Sequence, residues 1–183
     1  GADYHLAIIE FAEQQLTGLG LQTAIWELGF WLEAAYVNGD DNYMRLSTGV
    51  DYSFSENTFV QIEYHYNGAG SNDHNDYLSN LSATPYQRGG VFLLGENYLM
   101  PSFTVQLSSL WFVATQVIYN LDDNSAFLSV SAEYNIAENF YMDFGYYHFS
   151  GDEFSLTETG LPKLDSEYGS NPSTLFASIR YYF

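Results

Sequence analysis

Apolar and polar residues alternate along most of this chain, and that period of two residues is the feature that most constrains its fold. In 125–135, apolar side chains fall on one face of an extended chain, while serines and a glutamate fall on the other. The same pattern recurs in 43–54, 58–66 and 173–183. Because successive side chains of a strand point to opposite faces, each segment predicts a strand with one apolar and one polar face.

Ten such segments predict an all-β chain, folded as one antiparallel up-and-down transmembrane β-barrel domain over residues 1–183. The predicted strands are 3–11, 17–27, 29–38, 42–55, 57–68, 90–108, 111–121, 124–136, 139–150 and 173–183. The segment 90–108 is long and contains Pro101, which lacks an N–H group, so we expect a bulge there or two strands.

The connections between these strands alternate in length. Short turns are predicted at 27–29, 55–57, 108–110 and 137–139. Longer polar connections are predicted at 12–18, 38–42, 68–88, 121–124 and 151–172. Short turns on one side and longer loops on the other are typical of transmembrane barrels, and an even strand count puts both chain ends on the short-turn side.

Composition excludes several classes of function. Four Lys and Arg against 23 Asp and Glu give a formal net charge of -19, which argues against binding to nucleic acid or to an anionic membrane surface. The chain has no cysteine, so it has neither disulfides nor thiolate metal ligands. It also has no apolar run of about 18 residues, the length that a membrane-spanning helix needs.

Aromatic residues decide between a membrane barrel and its soluble alternatives, which share the same alternation. They make up 19% of the chain, and many fall at strand ends on the apolar face, where the aromatic girdles of membrane barrels lie. The members of this set are Tyr52, Phe54, Tyr64, Tyr66, Tyr134, Phe140, Tyr181 and Phe183. The polar face is also nearly free of lysine, whereas a soluble exterior mixes both charges. We therefore favour the membrane barrel over a soluble β-sandwich or ligand-binding barrel.

The last residues, Ser178-Ile179-Arg180-Tyr181-Tyr182-Phe183, resemble the C-terminal signature of bacterial outer-membrane barrel proteins. That signature ends on an aromatic residue with apolar residues at alternating positions before it, here Phe183, Tyr181 and Ile179. The segments 117–126 and 132–135 also resemble the C-terminal halves of porin-like proteins. The resemblance implies a bacterial outer-membrane location and recognition of the final strand by the barrel-assembly machinery. It also implies that further strands precede residue 1.

The polar face carries the residues that we expect to line a pore. They are Gln22, Glu33, Arg45, Asp51, Gln61, Glu63, His65, Gln106, Gln116, Glu133, Asp143 and Arg180. Two arginines among several carboxylates suggest a preference for cations. The expected function is passive diffusion of small solutes or ions. The alternative is a non-conducting structural or interaction barrel, or one part of a multi-chain barrel, because a closed barrel of only about ten strands is largely filled by side chains.

Catalysis and metal binding receive weaker support from the sequence. The four histidines are His5, His65, His74 and His148, and no nucleophile motif accompanies them, so a barrel-embedded hydrolase is a minor alternative and no enzyme is expected. The acidic connections could bind Ca²⁺, although none has the EF-hand spacing, and no other cofactor is expected. The expected partners are outer-membrane lipid, lipopolysaccharide and the assembly machinery, together with a second copy or another chain.

Overall fold

The chain forms one antiparallel sheet of ten strands in a computed structural model that describes residues 1–183. Each strand of the sheet is hydrogen-bonded to the strand that follows it in sequence, which is the up-and-down order. These strands are β1 (Ala2–Phe11), β2 (Gln14–Ile25), β3 (Leu28–Asn38), β4 (Tyr43–Ser55), β5 (Thr58–Asn67), β6 (Asn97–Ser108), β7 (Trp111–Asn120), β8 (Ala126–Ala137), β9 (Phe140–Ser150) and β12 (Thr174–Tyr181). The predicted number, order and antiparallel pairing of the strands are confirmed.

The remaining elements are short and lie in two long connections. Between β5 and β6, residues 68–96 contain a 3₁₀ turn (His74–Asp76) and two single-turn helices, α1 (Tyr77–Asn80) and α2 (Thr84–Gln87). Between β9 and β12, residues 151–173 contain the two-residue strands β10 (Ser155–Leu156) and β11 (Pro162–Lys163), which pair only with each other. The structure contains no helix with the length and apolar character needed to cross a membrane.

Tight turns explain why the first strands are longer than predicted. The interval 12–18 was expected to be a loop, but this prediction is wrong, because only Ala12 and Glu13 separate β1 from β2. Both residues have positive φ, +45° and +64°, as a two-residue type I′ hairpin turn requires. Residues 14–18 of the predicted connection belong to β2.

The other connections follow the expected alternation. Two-residue turns join the strands at one end of the sheet, at 26–27, 56–57, 109–110 and 138–139. At the opposite end lie the hairpin turn 12–13 and the longer connections 39–42, 68–96, 121–125 and 151–173. Both the start of β1 and the end of β12 lie at the two-residue-turn end, as predicted.

Pro101 interrupts the pairing of β6 with β7 within a single strand, and the register shift of this strand lies between Gln106 and Ser108 instead of at Pro101. Pairs are present at Leu99–Tyr119 and Ser102–Gln116, while Met100 and Pro101 have no partner on β7. The register is the same on both sides of the gap, so the missing N–H of proline costs two pairs without shifting the strands. The beginning of the predicted segment, residues 90–96, belongs to the preceding connection and is not strand.

The sheet is open, because β1 and β12 each pair on one side only. Closure into a barrel would require these two edge strands to pair with each other, and no such pairs are present. Both edges are exposed along almost their whole length, up to Phe11 at the end of β1, with Leu6 of β1 71% exposed and Leu175 of β12 79% exposed. The confirmed architecture is therefore an open ten-stranded antiparallel sheet.

The packed core is small and lies at the long-connection end of the sheet. Only 15 of 183 residues are buried. Val37 and Tyr43, from the ends of β3 and β4, pack with Val91 of the 68–96 connection, and Phe11 and Leu16 flank them. The 68–96 connection therefore covers one end of one sheet face, and the rest of that face remains open.

Candidate functional site

All twelve predicted pore-lining residues lie on one face of the sheet, which we call the polar face. Directly paired residues of neighbouring strands share a face, and the pairs Glu33–Ser47 and Asp51–Gln61 illustrate how the register connects the set. The same register links Gln22 on β2 through successive strands to Arg180 on β12. The twelve side chains are spread over the sheet, so only some of them come into contact.

The opposite face, which we call the apolar face, is exposed over the whole sheet. Its residues include Leu6, Leu46, Ile62, Leu128 and Ile179, one from each of five strands. Nothing in the chain packs across this face, because the long connections and the packed core lie against the polar face. One side of the sheet is therefore a largely apolar surface without a cover.

Three of the predicted residues form an ion-paired cluster that joins the last strands. The guanidinium of Arg180 on β12 donates to both carboxylate oxygens of Asp143 on β9, at 2.8 and 2.7 Å. It also bonds Glu133 on β8, and Ser178 donates to Asp143 at 2.9 Å. This arrangement balances one of the two carboxylate charges, reduces the repulsion between Glu133 and Asp143, and ties the edge strand β12 to its neighbours.

A second group of predicted residues lines a cavity of about 400 Å³ near the other edge of the polar face. Glu33, Arg45 and His65 are on its wall, together with His5 and Ser47. Apolar residues form the remainder of its surface: the small residues Ala7, Gly18, Gly20, Ala34 and Ala35, and the leucines Leu16, Leu19 and Leu46. The sequence predicted the charged members, but it did not predict that small side chains would leave a hollow between them.

His65 and Ser47 are in direct contact within this cavity wall. The Nδ1 atom of His65 lies 2.8 Å from the hydroxyl of Ser47 on the neighbouring strand. His65 is 7% exposed, and its Nε2 atom has no hydrogen-bond partner. Ser47 and His65 lie at equal distances along the chain from Glu56, in the β4–β5 turn. Because the strands of a hairpin pair outward from their turn, the sequence predicts that these two residues lie opposite each other.

A buried carboxylate, Glu167, connects the two long connections to the sheet. Its oxygens accept hydrogen bonds from the Tyr98 hydroxyl at 2.6 Å, the Asn120 side chain at 2.8 Å and the Leu94 backbone N–H at 2.9 Å. Burial raises the pKa of this carboxyl above its usual range. No cation is paired with Glu167, so neutral donors alone hold the 151–173 connection against the polar face.

The acidic residues of the connections are held mainly by backbone N–H groups. Asp122 accepts from the N–H groups of Glu96 and Asn97, at 2.7 and 2.8 Å. Asp123 accepts from the N–H groups of Ser125 and Glu167, at 2.8 and 2.7 Å. The structure contains no group of three or more His, Asp or Glu side chains arranged to hold a metal ion. These carboxylates therefore fix the shape of the connections.

The three residues of the predicted assembly signal lie at the exposed edge of the sheet. Ile179 and Tyr181 belong to β12 and point to the apolar face, 62% and 66% exposed. The Tyr181 ring packs edge-on against Phe140 of β9, with ring centroids 6.3 Å apart. Phe183 follows the strand and is fully exposed. The aromatic residues thus gather at the two-residue-turn end of the last strand.

Comparison with known proteins adds no relative, since no protein-family model, curated protein or solved structure matches this chain. Its function must therefore be argued from the polar face, the apolar face and the two sheet edges.

Proposed function

We propose that this chain is a porin-like barrel, or part of one, in the bacterial outer membrane, with the apolar face against lipid and the polar face lining a path for small solutes. The observation that carries the proposal is the apolar face, which spans ten strands and has nothing packed on it. A soluble domain of this size buries about 70% of the surface that its unfolded chain exposes, and such a face would be its core. Lipid offers the cover that the chain itself lacks.

The open edges require a partner strand in this proposal. Unpaired backbone groups in hydrocarbon cost several kcal/mol each, so strands span a membrane only as closed barrels. The two edge strands of the sheet, β1 and β12, run in opposite directions. They can therefore complete an antiparallel barrel by pairing with each other, with further strands or with a second chain. The last two options give the wider barrel that an open pore needs.

The proposed partners are those that the two faces of the sheet, the acidic connections and the last strand can contact. Lipid and lipopolysaccharide contact the apolar face and the acidic connections, and the barrel-assembly machinery reads the alternating Ile179, Tyr181 and Phe183. A non-conducting structural or interaction barrel is the alternative. The cover of the polar face by the 68–96 and 151–173 connections favours it, because both narrow the long-connection end.

Hydrolysis is the weaker alternative, supported only by the contact of Ser47 with His65. A nucleophilic serine needs a base that is itself oriented by a third group. The Nε2 atom of His65 has no such partner, and its Nδ1 atom is the one bonded to Ser47. We therefore place these two residues in the wall of a solute path.

Planar-bilayer recording of the protein folded in outer-membrane lipids tests the proposal. We expect discrete channels that prefer cations, and Glu63→Lys on the polar face should lower that preference. Glu158→Lys, at an exposed position of the 151–173 connection, is the matched control and should leave the preference nearly unchanged. Folded protein without discrete channels would reject passage in favour of the non-conducting barrel.

Cysteine cross-linking tests closure independently, since the chain has no cysteine of its own. Single cysteines at Tyr4, Leu6 and Ile8 of β1 are combined with single cysteines at Leu175, Ala177 and Ile179 of β12, all on the apolar face. Cross-links within one chain indicate self-closure, and cross-links between chains indicate a multi-chain barrel. If every combination fails although the protein is folded in lipid, pairing of β1 with β12 is wrong.

A further inference from the structure

We propose that the cavity beside Arg45 is a binding site for a small zwitterionic solute of amino-acid size, whose carboxylate pairs with Arg45 and whose ammonium group pairs with Glu33. The proposal rests on the proposed function in one respect, because the polar face must be open to water for the solute to arrive. It names the substrate class that the face would select.

Arg45 is the residue that first points to a ligand. The chain has four Lys and Arg residues. Arg88, Lys163 and Arg180 each form a salt bridge, to Glu13, Asp165 and the Asp143–Glu133 pair respectively. The guanidinium of Arg45 has neither a salt bridge nor a side-chain hydrogen bond within the protein. Five N–H donors in a planar fork therefore face the cavity region without an acceptor, and a carboxylate fits that fork.

Glu33 supplies the opposite charge in the same wall. It lies on β3, diagonally across from Arg45 on β4, because Glu33 pairs with Ser47 and Arg45 pairs with Ala35. Both side chains line the cavity, and no salt bridge joins them. Two opposite charges that share a cavity without pairing match a ligand that carries both charges.

His65 is the second, independent sign of a binding site. It lines the same cavity, is 7% exposed, and its Nε2 atom has no partner. A buried polar atom left without a hydrogen bond destabilises a folded protein, because it has lost its bonds to water without replacement. The bond from Nδ1 to Ser47 fixes the ring in the wall. A small shift of this ring on ligand binding gives Nε2 a partner.

The size and charge of the surroundings select the solute. A cavity of about 400 Å³ lies in the range of roughly 300–1,000 Å³ that is usual for small-molecule sites. The glycine, alanine and leucine residues of its wall suit a short apolar group. A net charge of -19 repels a free anion, whereas a neutral zwitterion carries its carboxylate to Arg45 without that cost.

Equilibrium binding to the folded full chain in detergent tests the site without requiring conductance. The probes are L-alanine, propionate, which lacks the ammonium group, and ethylamine, which lacks the carboxylate. We expect saturable binding of L-alanine in calorimetry, accompanied by a shift of the His65 ring resonances. Propionate and ethylamine should each bind at least tenfold more weakly.

Variants separate the two contacts. Arg45→Gln should weaken L-alanine binding at least tenfold. Arg45→Lys keeps the charge but loses the planar fork of N–H donors, so its affinity for L-alanine should lie between that of Arg45→Gln and that of wild type. Glu33→Gln should weaken L-alanine binding while leaving propionate binding nearly unchanged. Glu63→Gln, on the same face but outside the cavity wall, is the matched control and should bind like wild type.

Several results would overturn the site: no saturable binding of L-alanine, equal binding of all three probes, or wild-type affinity in folded Arg45→Gln and Arg45→Lys. Channels without binding would reject this site and leave the proposed passage intact. Binding without channels would reject the proposed passage and leave the binding site intact.

Discussion

Two glycines of the polar face make room for aromatic rings from the adjacent strand. Gly49 on β4 is paired with Trp31 on β3, and Gly145 on β9 is paired with Phe176 on β12. A Cβ atom at either glycine would overlap the ring of its partner. Such a ring over a glycine shields the backbone and holds the register of the two strands.

Substitution of Gly49 tests this packing. Gly49→Ala forces a Cβ against the Trp31 ring and within 2.6 Å of the Ile62 backbone oxygen, and we expect a loss of about 1–3 kcal/mol in the free energy of unfolding, the usual cost of overpacking. Urea titration followed by tryptophan fluorescence measures it. Gly20→Ala is the matched control on the same face, since its Cβ meets its nearest neighbour, His5, at an ordinary 3.5 Å. Equal losses in the two variants would show that the Trp31 contact is not responsible.

At the scale of elements, the two long connections form a cover over one end of the polar face. Within the 68–96 connection, Tyr77 meets Asn120 of β7, where its hydroxyl accepts a hydrogen bond at 3.0 Å. Within the 151–173 connection, Glu167 bonds Tyr98, Asn120 and Leu94. Sheet and connections therefore share one hydrogen-bonded group that contains Glu167 and, through the Glu167 backbone N–H, the carboxylate of Asp123.

The raised pKa of Glu167 makes this cover sensitive to pH. The folded state binds the proton more tightly than the unfolded state, so the stabilising contribution is fully present below the ordinary glutamate pKa, about 4.3. It is lost as the pH rises through the higher folded value. We expect the free energy of unfolding to fall over this window in wild type and to fall less in Glu167→Gln.

Urea titrations of both proteins at several pH values between about 4 and 8 measure the difference in slope. Glu158→Gln, which removes an exposed carboxylate from the same connection, serves as the control for net charge and should keep the wild-type slope. Parallel slopes in wild type and Glu167→Gln would contradict a protonation role for the buried carboxyl.

At the scale of the whole molecule, the two faces of one sheet differ in what they can contact. The polar face has a cavity, the cover of the connections and most of the charged strand residues, whereas the apolar face is uncovered and carries Glu10 near the end of β1. Neighbouring residues in a strand point to opposite faces of the sheet. On β8, Leu128 pairs with Val117 and His148 on the apolar face, while Ser129 pairs with Gln116 and Tyr147 on the polar face.

This difference predicts opposite responses to one added charge. Leu128→Arg should cost about 2–4 kcal/mol in lipid vesicles, as arginine does at the lipid-facing midplane of a barrel, whereas Ser129→Arg should cost about 1 kcal/mol or less. Denaturant titration of the vesicle-inserted protein compares them. A larger cost at Ser129 than at Leu128 would reverse the assignment of the faces.

Local rules determined much of this fold in advance. The alternation of side chains placed the ten strands to within a few residues at most ends, and it assigned all twelve predicted residues to one face, because a period of two depends only on neighbours in sequence. Pro101 marked the interrupted ladder for the same reason. The same rules failed at 12–18, where a longer polar connection was predicted, although only Ala12 and Glu13 separate β1 from β2.

What the tertiary structure decided depends on residues far apart in the chain. Glu167 meets Tyr98, and Tyr77 meets Asn120, only because the long connections fold back over the sheet, and no local period encodes that path. The hollow beside Arg45 exists because small residues of three different strands come into register with two charges and a histidine. By itself, the sequence determined which residues form strands and which face each one occupies. The structure decided which of them meet, and it left two edges open, because pairing depends on the path of the whole chain.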